Sequence, residues 1–102
     1  MLEREIEKKL IDRVRDLGGR AYKWVSPGNN GVPDRIVILP GGRIVFVELK
    51  ADRGRLSALQ QIQIRTLKKL GCDVRVLQGP DQVQAFMDTI TAEQMRRGDK
   101  NE

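Results

Sequence analysis

The sequence predicts an α/β domain with the element order α-β-β-β-α-β-α, a central mixed four-stranded sheet and helices against it. Three observations lead there. Apolar residues recur at intervals of three and four in three separate segments, two dense β-branched runs are joined by Pro40-Gly41-Gly42, and 102 residues fit one domain with a real core.

Along residues 2–17, Leu2, Ile6, Leu10, Val14 and Leu17 form one helical stripe, which Gly18-Gly19 ends. Residues 20–25, with Tyr22, Trp24 and Val25, read as a short strand before the breaker-rich Ser26-Pro27-Gly28-Asn29-Asn30-Gly31 loop. Residues 34–39 and 43–50 read as a β-hairpin. Ile36, Ile38, Ile44 and Phe46 make one side apolar, and Val37, Leu39, Val45, Val47 and Leu49 the other, so the hairpin is expected to be central and covered on both sides.

After the polar connector Asp52-Arg53-Gly54-Arg55, Ser57 is placed to cap a helix carrying Leu59, Gln63, Leu67 and Leu70, closed by Gly71. Residues 73–77 read as a fourth strand, and Val83, Phe86, Met87 and Ile90 as the inner stripe of a last helix. One domain over residues 1–95 is expected, with a frayed tail at 96–102.

Composition narrows the chemistry. A net charge of +5 favours polyanionic partners, with nucleic acid foremost. No apolar run approaches the roughly 20 residues of a spanning helix, and the N-terminus lacks a signal-type stretch, so no membrane partner and a cytoplasmic setting are expected. The lone Cys72 fits a reducing compartment. With 0 histidines, Ser-His and Cys-His nucleophiles and His-ligated zinc are excluded, which leaves carboxylates, lysine and a metal-activated water. Gly28-Asn29-Asn30-Gly31 has no following Gly-Lys-Ser/Thr, so no nucleotide cofactor is expected.

The informative stretch is Gly31-Val32-Pro33-Asp34 followed by Glu48-Leu49-Lys50. Glu48 and Lys50 are two apart on a strand and emerge on one face. A three-residue loop sets Leu39 opposite Arg43, and counting outward sets Asp34 opposite Glu48, with β-carbons roughly 4.5–5.5 Å apart. A one-residue bulge would break that register. Two carboxylates this close call for a cation, and hard oxygen donors suit Mg²⁺ or Mn²⁺. Such an ion would acidify a water, hold a phosphate oxygen and offset transition-state charge, with the Leu49 carbonyl as an added ligand. Lys50 would orient the water, take its proton or stabilise the developing charge.

Gly31-Val32-Pro33-Asp34-Arg35, Phe46-Val47-Glu48-Leu49-Lys50-Ala51 and Leu56-Ser57-Ala58-Leu59-Gln60 together resemble the VRR-NUC group of the PD-(D/E)XK nucleases, from Glu3 to about Phe86. The resemblance implies a restriction-endonuclease-like αβββαβ core with an extra C-terminal helix, divalent-metal phosphodiester hydrolysis, and a further acid on the first helix. Glu3 is the best match, as both a catalytic and a metal-binding residue; it also falls within the first helix's apolar stripe, with Glu7 second. Gln60 matches a family glutamine that arranges contacts near the site, and Lys23 a position near the substrate phosphate.

Arg53 and Arg55 follow Lys50 closely enough to grip a DNA backbone. Stand-alone members of the family resemble Holliday-junction resolvases, which implies branched DNA as partner and a two-fold homodimer. Simpler roles compete: a turn residue for Asp34, a surface ion pair for Glu48 and Lys50, helix-dipole placement for Glu3 and a capping box with Ser57 for Gln60. A monomeric nicking or flap endonuclease, or a non-catalytic nucleic-acid-binding module of the same fold, are the alternative functions.

Overall fold

Glycines and β-branched runs divide the chain as the pattern indicates. The computed structural model describes residues 2–101, with side chains up to Arg97. The elements are α1 Glu3–Asp16, β1 Arg20–Lys23, β2 Arg35–Leu39, β3 Arg43–Lys50, α2 Ala58–Lys69, β4 Val74–Gln78 and α3 Pro80–Asn101. The sheet runs β1-β2-β3-β4. Its first two pairings are antiparallel and β3 pairs β4 in parallel, so α2 is the crossover a parallel pair requires.

The hairpin register is the one counted from the sequence: Leu39 faces Arg43 and Arg35 faces Val47, without a bulge. Asp34 lies just before β2 rather than within it, and β1 ends at Lys23. The Trp24 N–H nevertheless donates to the Asp34 carbonyl at 2.9 Å, extending the pairing to the loop that delivers the aspartate.

Val37, Leu39, Val45, Val47 and Leu49 face one way and are buried beneath Ile6, Leu10 and Val14 of α1 and Val83, Phe86, Met87 and Ile90 of α3. Each such side chain contributes roughly 1.5–3 kcal/mol on burial, so this layer carries the fold. Arg35, in line with Val37, is partnered by Glu7 of α1. Arg43 ties β3 to Asp73 and to Glu93 of α3. Burial alone would raise the Asp73 carboxyl, but Arg75 and Arg43 outweigh it and hold it below the ordinary value.

The expectation that helices cover the hairpin on both sides is met in part. Both α1 and α3 lie on one face, and α2 covers only part of the other, leaving Ile38 36% and Ile44 48% exposed and Tyr22 of β1 56% exposed. The α2 stripe is also narrower than expected. Ile64 is its buried residue, while Leu59 and Leu70 are exposed, because a helix set against one side of a sheet seals only a narrow strip. Arg96 and Arg97 continue α3, and Gln94 and Arg97 donate to the Pro40 and Gly41 carbonyls of the hairpin turn. The remainder of the expected tail carries no described side chains, and Glu102 lies outside the described residues.

Candidate active site

The sheet face that α1 and α3 leave free carries Asp34, Glu48 and Lys50. Glu48 and Lys50 share it with Ile44 and Phe46, as the strand alternation requires. Continuing the register one residue past Arg35 and Val47 sets Asp34 against Glu48. Asp34 is held at two points: its carbonyl accepts from Trp24, and its carboxylate oxygen Oδ2 accepts from the Leu49 N–H at 2.9 Å. A strand residue's N–H and C=O point to the same flank, so the Leu49 carbonyl also looks towards the open end of β2.

Glu48 is 1% exposed, a rare state for a carboxylate. Its Oε2 accepts from the Gln60 amide Nε2 at 3.1 Å and lies 3.7 Å from the Lys50 ammonium. Its Oε1 is buried with no hydrogen-bond partner. Burial pushes the Glu48 carboxyl up to about 7, with the neighbouring Asp34 adding to the rise, Lys50 opposing it and Glu3 contributing further.

Gln60 fills both roles weighed from the sequence. Its carbonyl accepts from the Ser57 N–H at 2.8 Å and its N–H donates to the Ser57 hydroxyl at 3.1 Å, a complete capping box. Holding the carbonyl back at the cap leaves the amide nitrogen to face Glu48. Gly31 brings the aspartate's loop onto this helix: at φ +91°, a Cβ there would lie 2.7 Å from the Leu59 carbonyl atoms.

Glu3 is exposed at the N-terminal end of α1 rather than turned inward, yet its charge acts on Glu48. Glu7 is taken by Arg35 on the covered side, which leaves Glu3 as the α1 acid related to the site. Lys23 is not brought to the site face: it pairs with Arg35, whose next partner is the core residue Val47, and so belongs to the opposite face. Arg53 and Arg55 border a cleft that begins at Lys50. Sequence reasoning missed Gln78, whose amide holds the Gly54 carbonyl of that connector. Only its place at the β4 end, just before Gly79-Pro80, hinted at a role.

The donors fit a hard divalent cation through two carboxylates and a carbonyl, and the unpartnered Glu48 oxygen gives such an ion a defined seat. Among the described residues no three acidic, cysteine or histidine side chains converge, so Glu3 is related to this pair by its charge and not by a shared cluster.

The VRR-NUC domain model matches residues 2–81. This chain belongs to the VRR-NUC family. It is 49% identical over 79 residues to "Putative nuclease p44" of Acyrthosiphon pisum secondary endosymbiont phage 1, a match covering 78% of this chain and 85% of that protein. A solved VRR-NUC domain superposes with a TM-score of 0.80 at 32% identity, covering 84% of this chain and 94% of the other. A second, a VRR-NUC domain protein, shares the fold at a TM-score of 0.66 and 16% identity, with 86% of each chain covered. The VRR-NUC fold thus accounts for the mixed sheet with α1 and α3 on one face, and it is a nuclease family's fold. No helix among the described residues is long and apolar enough to cross a membrane.

Proposed function

We propose that this VRR-NUC chain is a divalent-metal-dependent endonuclease that hydrolyses phosphodiester bonds in structured DNA, resolving four-way junctions as a homodimer in the bacterial or phage-infected cytoplasm. One observation carries the reading: Glu48 is buried with an unpartnered oxygen, beside Asp34 and within 3.7 Å of Lys50. Burying a carboxylate there costs stability, and a cation offsets that cost.

Asp34, Glu48 and the Leu49 carbonyl would hold Mg²⁺ or Mn²⁺. When bound, such an ion supplies the charge that acidifies water and neutralises the phosphoryl oxygens. Gln60 fixes the Glu48 carboxylate and Leu49 fixes Asp34, so neither rearranges as charge develops. Lys50 places its ammonium on the same face, where it orients the attacking water or stabilises the oxygen charge. As the water oxygen joins phosphorus, the bond to the leaving sugar oxygen breaks. Glu48 must be ionised to take the cation, so binding should strengthen as pH rises through about 7.

The open sheet patch of Tyr22, Ile38 and Ile44 supports the homodimer, since a second copy would shield these side chains from water. The test is cleavage of labelled four-way, flapped and linear DNA with Mg²⁺, Mn²⁺ or chelator. Paired symmetric nicks in the junction, absent with chelator and with Asp34→Ala, are expected. Cutting confined to flaps would remove the resolvase assignment, and equal cutting by Asp34→Ala would detach the activity from this site.

A further inference from the structure

Beside the carboxylate pair, on the β4 side of Lys50, lies an open cleft of about 800 Å³. Its volume falls in the range of sites for small molecules and cofactors, roughly 300–1,000 Å³. A nucleotide fits such a space, whereas a duplex would have to lie across its mouth. Lys50, Arg53 and Arg55 border it and supply three cations, with Asp52 as the one acid among the described lining residues. Asp52 rests its carboxylate against Gly79, where a β-carbon would collide with it.

The lining also suits a base. Leu56 and Val76 offer apolar surface, and Gln61 and Gln78 offer amides. The Gln61 amide donates to the Leu56 carbonyl at 3.3 Å and the Gln78 amide donates to the Gly54 carbonyl. Each glutamine keeps its carbonyl oxygen and a second N–H for a ligand. These bonds, with the Gly79 N–H donating to the Lys50 carbonyl at 2.8 Å, hold the connector against β4, so the cleft is formed before anything binds.

We infer that this cleft binds an unpaired nucleotide of the substrate strand, next to the phosphate held at Asp34 and Glu48. The inference rests on the nuclease reading and deepens it. Lys50 belongs to both places, so a strand whose phosphate lies at the carboxylates reaches the cleft with its neighbouring nucleotide. A branch point supplies nucleotides free to leave the stack, which continuous duplex does not. No aromatic side chain is among the described lining residues, so bases have no stacking platform. Binding then combines ionic contacts to the phosphate with amide and apolar contacts to the base, with weak selectivity among bases and a clear salt dependence.

The experiment has a binding arm and a cleavage arm, both with the full chain. In the first, a fluorescein-labelled six-nucleotide single strand and a hairpin of matched charge are titrated by anisotropy. Gln61→Glu, which sets a negative charge in the cleft from an exposed position on α2, is expected to weaken single-strand binding about tenfold and hairpin binding less than twofold, with circular dichroism unchanged. Arg55→Ala provides a second variant for the same loss.

In the second arm, abasic residues replace the nucleotides flanking the cut in a branched substrate. The wild type should cut it about tenfold more slowly than the intact one, and Gln61→Glu should cut both at the slower rate. Equal binding of strand and hairpin, unaffected by either variant, overturns the cleft assignment whether or not cleavage occurs. Asp34-dependent cutting indifferent to abasic residues overturns it while leaving the nuclease reading intact. Strand binding without any Asp34-dependent cutting defeats the nuclease reading alone. Displacement of the strand by equimolar mononucleotide would reassign the cleft to a free nucleotide and overturn the inference.

Discussion

On the face of β2 and β3 that carries Val37, Val45 and Val47, α1 and α3 exclude water. On the face that carries Ile38, Ile44 and Glu48, α2 shields one end and leaves the other open. Both faces are built of β-branched residues, so hydrophobicity alone does not distinguish them. The difference comes from where the crossovers fall: two helices share one side, and the space this leaves on the other holds a carboxylate pair, an ammonium and a cleft. The fold draws its stability from the covered face and leaves the candidate site on the open one.

The sharpest way to break this contrast is to place the same change on each side. Val47→Asp buries an unpaired charge in the sealed layer and should cost about 4 kcal/mol or more, leaving no cooperative thermal transition. Ile44→Glu, on the open face, should leave stability within about 1 kcal/mol, as judged by urea melts. The same variant should turn a dimer into a monomer in sedimentation velocity. Identical masses for wild type and variant would remove that patch from the assembly.

Next in size is the role proposed for the Lys50 ammonium. Lys50→Ala should lower junction cleavage by about 10²–10⁴-fold with the fold retained, in single-turnover assays. A loss under threefold would make Lys50 an ordinary ion-pair partner of Glu48.

The open face should also be less stable when charged. The folded Glu48 carboxyl sits at about 7, above its unfolded value, so the native state binds the extra proton between roughly pH 4.5 and 7. Stability without divalent ions should therefore fall as pH rises through that window and level off above it. Glu48→Gln removes the cost and should stabilise the metal-free protein at pH 8 by up to about 3 kcal/mol, at about 1.4 kcal/mol per pKa unit. Little gain should remain at pH 4.5, and equal gain at both pH values would contradict the buried-charge account.

The smallest expected effect is at the cap. Gln60→Glu keeps an oxygen for the Ser57 N–H but removes the amide donor that faces Glu48. Melting at pH 5, where the two carboxyl groups share a proton, should shift by less than about 1 kcal/mol, while cleavage below pH 7 should weaken more than cleavage at pH 8.5.

Most of this was legible because it depends on parity and counting. Alternation placed Glu48 and Lys50 on one face, and the turn Pro40-Gly41-Gly42 fixed the register that brings Asp34 opposite Glu48. What stayed hidden depends on which side each helix packs. The local pattern of Ile38 and Ile44 is that of a covered strand, so their exposure could not be read from it. Lys23 resembles a family position near the substrate phosphate, and the β1–β2 register turns it to the other face. Glu3 matched the α1 stripe by angle, but it is the first residue of the helix, one turn before the first buried position, Ile6, and is exposed. The ties from Gln78 to Gly54 and from Arg35 to Glu7 span the fold, and no spacing along the chain reveals them.

Titration of the protein with Mn²⁺, followed by the loss of the free-ion electron paramagnetic resonance signal, tests the cation site most directly. The wild type at pH 8 should bind the ion, and Asp34→Ala and Glu48→Gln should each lose that binding at the same protein concentration. Undiminished uptake by both variants would contradict the account, because the ion would then sit elsewhere.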